Sequence, residues 1–127
     1  MTQVTDPAML AALASIAATE EELMGPLEPT GLRIGADSGQ PMTATRVLHD
    51  APPIQVGVWE CTPGGWSIID RPNTEIVHIL AGAARITDAD GTVHELRSGS
   101  AVVLPCGWSG RWDITETVRK LYVTIEG

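Results

Sequence analysis

A few side chains in this 127-residue chain could do chemistry, and two carboxylates come first: Glu75 and Asp70. In an apolar pocket, one carboxyl of such a pair stays protonated and serves as general acid or base. The plainer alternative is that Asp70 opens a turn with Arg71-Pro72-Asn73, while Glu75 pairs with an Arg or Lys. Glutamate is seldom fully buried unless it is paired, so an inward Glu75 needs a reason. Lys120 and Tyr122 lie two apart, hence on one face of a strand, and could anchor a substrate carboxylate. A salt bridge from Lys120, with Tyr122 in the core, is the competing reading. Trp66 and Trp112 could wall an apolar or cationic ligand, whereas Trp59 and Trp108 read as packing. Cys61 and Cys106 could be nucleophiles or metal ligands, but a lone Cys beside a strand is more often a small buried hydrophobe; Cys61 is kept as a substrate-binding candidate. The three histidines, His49, His78 and His94, are scattered and suggest no shared ligand set.

The elements that must position these groups are mostly strands. Asp6-Pro7 is a helix start, with Asp as cap and Pro at the first helical position. Leu10, Leu13, Ile16 and Met24 then recur at helical spacing up to Gly25-Pro26, so one amphipathic helix is expected over 7–24. From about Arg33 onward, runs of Val, Ile, Thr and Trp alternate with Gly, Pro, Asn and Asp turns. Strands are expected at 44–49, 54–61, 66–71, 75–81, 83–88, 93–96, 101–104, 110–114 and 118–125. Asp90-Gly91 reads as a hairpin turn. No helix-length segment interrupts them, so the fold class is all-β: a jelly roll or closed barrel behind a short N-terminal α-helix. The organisation is an N-terminal helix and linker over 1–30 and a barrel over 31–127. Alternation places Val77 and Ile79 inside if Glu75 is inside, and His78 outside.

Composition narrows the partners. A net charge of −8 argues against nucleic acid and anionic membrane surfaces. No apolar run is long enough for a membrane helix. The start lacks a basic region and carries Glu20-Glu21-Glu22, unlike a signal peptide. Cys61 and Cys106 form no C-x-x-C pair, which suits a reduced, cytoplasmic setting.

Two spacings carry a family resemblance: Glu75-x6-Gly82, and Gly99-x5-Pro105-x-Gly107. They resemble the end of the first and the start of the second signature block of cupins, which are small jelly-roll barrels. GVWECTPGGW (57–66) and GWSGRWDITETVRKLYV (107–123) are similar to the branch grouped with ethanolamine-utilisation protein Q and ureidoglycine aminohydrolase domains. The resemblance spans roughly residues 50–125. It implies a barrel mouth holding Trp66, Asp70, Glu75 and Trp112. It also implies a metal centre of imidazoles plus a carboxylate, and here the chain departs. The second-block His position falls on Gly110, leaving room where an imidazole would stand. The first-block His positions fall on Ile68 and Asp70, or on Asp70 and Pro72, according to the end from which they are counted. We therefore expect no transition metal and no cofactor. The expected function is non-redox acid/base chemistry of isomerase, lyase or hydrolase type on a small polar metabolite, with Glu75, Asp70 and Lys120 catalytic and Trp66, Trp112, Tyr122 and Cys61 binding substrate. A non-catalytic metabolite-binding or regulatory cupin is the alternative. Small cupins commonly pair, and the apolar helix stripe offers a contact, so a homodimer is expected.

Overall fold

The structure is a computed structural model and describes residues 6–127. Two short helices, α1 (Pro7–Ala12) and α2 (Glu20–Leu23), precede the sheet. Asp6 caps α1 as expected, its carboxylate accepting from the Ala8 amide at 2.8 Å. The single helix expected over 7–24 does not form. Thr19 caps α2 instead, and the Thr19–Glu22 capping box is closed in both directions. A cap needs extended backbone, here φ −73° and ψ 163°, so the helix cannot run through it. Nor does packing favour a longer helix, because Leu10, Leu13 and Ile16 are all more than half exposed.

The strands are β1 (Glu28–Leu32), β2 (Ser38–Gly39), β3 (Met42–Ala51), β4 (Ile54–Cys61), β5 (Gly64–Ile68), β6 (Asn73–Asp88), β7 (Val93–Arg97), β8 (Ala101–Leu104) and β9 (Gly110–Glu126). Every pairing is antiparallel. The expected pairs 75–81/83–88 and 110–114/118–125 are each one long bent strand. β1 and β2 carry no sequence signal, because Pro29, Gly31 and Gly39 are poor strand formers and only pairing to β3 and β5 defines them.

The spine of the sheet is the long β6–β9 pair. Along its other edge β9 pairs with β4 through residues 118–125 and with β5 through residues 110–114. On its own free side β6 takes β8 and then β7. One strand thus serves two neighbours in succession, and the sheet curls around a single interior. The bend falls at Gly82, where the β6–β9 register shifts. Gly82 has φ 81°, and a Cβ there would lie 2.0 Å from the Thr117 carbonyl oxygen. The bend therefore requires glycine, which is the physical content of the Glu75-x6-Gly82 spacing.

The inner faces follow the expected alternation. Val77, Ile79, Leu104, Ile114 and Val118 are buried, and Ile76, His78 and Val103 face out. Two of the inward positions are charged: Glu75 on β6 and Lys120 on β9.

Candidate functional site

Glu75 and Lys120 meet because β6 and β9 are neighbours and both residues lie on the inner face. Lys120 Nζ donates to Glu75 Oε2 at 3.1 Å, and both side chains are under a tenth exposed. The second oxygen of Glu75 faces Arg71 Nη2 at 3.6 Å. Arg71 follows β5 in irregular backbone and also donates to Asn73 Oδ1 at 3.1 Å. Its Nε is buried without a partner. The ammonium of Lys120 sits between two indoles, 4.4 Å from the Trp59 ring and 4.7 Å from the Trp112 ring. Trp66 stacks on Trp112 with centroids 6.4 Å apart, and meets Trp59 edge-on at 6.1 Å. Arg33, just after β1, lays its guanidinium over Trp66 at 4.9 Å. Together these groups and Tyr122 line a cavity of about 170 Å³ at the barrel mouth.

The electrostatics are unusual for so small a space. Burial pulls the Lys120 ammonium below the ordinary lysine range. The charge and hydrogen bond of Glu75 oppose that shift, and Arg71 adds to it. The flanking indole faces also favour the charged form. The Tyr122 phenol is pushed up, first by burial and then by Glu75 and Asp50, and it donates to Gln55 Oε1 at 2.9 Å. A larger, shallower groove of about 790 Å³ lies alongside and shares Trp59 and Tyr122. It has no buried ionisable pair, whereas the smaller cavity has Lys120 and Glu75.

Five of the seven expected site residues converge there: Glu75, Lys120, Trp66, Trp112 and Tyr122. Asp70 does not. β5 ends at Ile68, and Asp70 turns out at φ 49°, exposed, its amide donating to Ser109 Oγ at 2.9 Å. The carboxylate pair of the acid/base reading is therefore replaced by a carboxylate–ammonium pair. Cys61 is also absent from the lining. It is fully buried in the core opposite Val118, and burial pushes its thiol up to about 11. Trp59, which reads as packing in the sequence, is part of the cavity wall, as are Arg33 and Arg71. Trp59 could have been found by pairing β4 with β9, which sets it opposite Lys120. Arg33 and Arg71 lie outside regular strands and carry no periodic signal.

The surroundings of Glu75 do not suit the metal centre of a His-rich cupin. Gly110 does not leave room for an imidazole, because a Cβ there would lie 2.3 Å from the Trp108 ring. Trp108 fills that space and donates from Nε1 to Asp88 Oδ1 at 2.9 Å. Lys120 and Arg71 already bring two positive charges to the Glu75 carboxyl, and they would repel a dication placed there. Among the described residues no three His, Cys, Asp or Glu side chains converge.

Comparisons with known proteins agree with this fold. The structure of the Clostridium difficile EutQ protein superposes with a TM-score of 0.60 at 21% identity, over 68% of this chain and 69% of that one. A putative ethanolamine utilization protein Q from Salmonella typhimurium gives a TM-score of 0.64 at 18% identity, over 80% of this chain and 98% of that one. A Pseudomonas syringae protein of unknown function reaches a TM-score of 0.73 at 22% identity; the match covers 80% of this chain but only 45% of that one. At these identities the likeness speaks for the fold alone. No curated protein matches in sequence. None of the helices among the described residues is long and apolar enough to cross a membrane. The EutQ-like cupin domain matches residues 50–122, the stretch that contains Glu75, all of β6, most of β9 and all four tryptophans. The chain belongs to the EutQ-like cupin domain family.

Proposed function

We propose that this cupin is a non-redox enzyme of small-molecule metabolism, of isomerase, lyase or hydrolase type, in which Glu75 and Lys120 move a proton at a small polar substrate. The observation that carries the reading is the buried Lys120–Glu75 pair opening onto the cavity. An ion pair withdrawn from water is a poor means of stabilising a fold, since its desolvation cost offsets its attraction. Perturbed ionisable groups in a cleft mark acid/base sites. With its affinity for a proton weakened by burial, Lys120 can give one up near neutral pH more readily than a surface lysine. Glu75, one hydrogen bond away, is placed to accept it or to hold the ammonium that results.

The second reading, a metabolite-binding cupin without turnover, draws support from the enclosure of Lys120 between Trp59 and Trp112, which limits its reach. Incubation in D₂O with pooled small hydroxy- and keto-compounds separates the two, with NMR following loss of C–H signals. In its isomerase or lyase form the enzyme reading predicts deuterium uptake that is lost in Glu75→Gln and in Lys120→Met, and in its hydrolase form cleavage of an added ester or amide lost in the same variants. Binding without exchange or cleavage of any compound would favour the second. The exposed apolar arm carrying Leu10, Leu13 and Ile16 supports the expected self-association.

A further inference from the structure

We infer that the cavity recognises a compact carboxylate, whose oxygens are taken by the guanidinium groups of Arg71 and Arg33 and whose body lies against Trp66 and Trp112. The inference rests on this cavity being the working site, and it adds the class of ligand. Charge gives the first argument. The lining holds three cations, Arg33, Arg71 and Lys120, against one carboxylate, Glu75. The chain as a whole carries −8, so the cavity reverses the sign of the molecule around it. An anionic ligand balances that local excess; a cationic one would add to it, and the aromatic cage that could hold a cation is filled by Lys120.

Unused donors give the second. Arg71 spends Nη2 on Asn73 and Glu75, while its Nε is buried with no acceptor. Buried donors in folded proteins are nearly always paired, so the Arg71 guanidinium on the cavity wall is left under-satisfied. Arg33 donates from Nη1 to the adjacent Ile34 carbonyl and otherwise rests on Trp66. Among the described residues it has no carboxylate partner.

Arg33 is also held in place. The strap between β1 and β2 is tied at one end by the Arg33 amide donating to the Pro41 carbonyl at 2.9 Å. At the other end the Asp37 amide donates to the Gly65 carbonyl at 3.0 Å. Arg111 then clamps the Asp37 carboxylate with two bonds of 2.7 and 2.9 Å. Size gives the last argument. A cavity of about 170 Å³ equals roughly six water volumes. That suits an acid of three to five carbons. A planar two-oxygen group matches a guanidinium fork, and the indole walls suit a short apolar or unsaturated body.

The test is titration of the full chain with propionate, pyruvate, 2-oxobutyrate, neutral propionamide and inorganic phosphate, followed by calorimetry and tryptophan fluorescence. The expected result is saturable binding of at least one carboxylate, with propionamide weaker by about tenfold or more. Arg71→Met should weaken carboxylate binding by about tenfold, and Arg33→Met by a smaller factor. Arg33 is only partly buried, so its variant keeps the test informative if Arg71→Met fails to fold. Four outcomes would overturn the inference: propionamide binding as well as propionate, both arginine variants binding like the parent, phosphate alone binding, or no carboxylate binding at 100 mM concentrations. Carboxylate binding without deuterium exchange or cleavage of any compound would uphold this inference and sink the acid/base reading. Exchange on neutral carbonyl compounds with no preference for acids would do the reverse.

Discussion

Two ion pairs of similar geometry sit in opposite surroundings. Lys120 and Glu75 are 3.1 Å apart, with side chains 8% and 7% exposed. Arg111 and Asp37 are 2.7 Å apart, with side chains 31% and 56% exposed. The outer pair keeps much of its hydration and is screened by salt, so its work is local: it fastens the strap that carries Arg33. The inner pair has lost its water and is enclosed by indole rings and Arg71. Its two charges need each other, and a fold seeking only stability would do as well with two apolar residues. Distance alone does not separate the two pairs, whereas burial and an adjoining cavity do.

The largest effect should come from breaking the inner pair on one side. Lys120→Met strands Glu75 without its main partner and should cost about 3–5 kcal/mol in urea unfolding. Adding Glu75→Leu should recover most of that loss. A single variant as stable as the parent would mean that the pair is open to water. Next in size is the effect on turnover. Glu75→Gln keeps the shape and should lower any catalysed exchange by about a hundredfold or more while the native circular dichroism is retained. Smaller again is the outer pair. Arg111→Ala should leave unfolding almost unchanged, and any loss should vanish in molar salt, where the inner pair is unaffected. A marked, salt-resistant loss would erase the contrast between the two.

The cysteines sharpen the contrast between interior and rim. Cys106 is exposed, whereas the Cys61 thiol is buried and held up to about 11. Iodoacetamide at pH 8 should add one label to the native protein and two to the unfolded chain, as read by intact mass. The native state keeps the Cys61 proton to about 11, while an unfolded thiol releases it near its ordinary 9.0. This contribution to stability is therefore present below pH 9 and is lost as pH rises toward 11. Two labels on the native protein at pH 8 would contradict the burial.

Much of this was legible in the chain. Once Glu75 is inside, period-two alternation carries Val77 and Ile79 inside and His78 outside, because one buried face fixes a strand's register. Gly82 marks the break expected between strands 75–81 and 83–88, which in the fold is a bend within the single strand β6. What alternation could not reach were residues just past a strand end. It carried Asp70 inward by parity, but β5 stops at Ile68 and the backbone turns left-handed two residues later. Arg71 enters the cavity from the same irregular stretch. The N-terminal helix failed for a different reason. Its apolar stripe has the right period but packs on nothing among the described residues, and the Thr19 capping box outweighs it. Trp108 in the space beside Gly110 is a contact across the fold, which no local pattern encodes.

The most direct test of the central claim, that Lys120 and Glu75 form a desolvated, proton-exchanging pair, is an NMR titration of the Lys120 side chain in the parent and in Glu75→Gln. Burial lowers the proton affinity of Lys120 and Glu75 raises it. The parent should therefore titrate below the ordinary 10.5, and Glu75→Gln lower still. Between the native value and 10.5 the unfolded chain holds more protons, so the native state should gain stability as pH rises through that window. A Lys120 that titrates at or above 10.5, and does not respond to the loss of Glu75, would contradict the account.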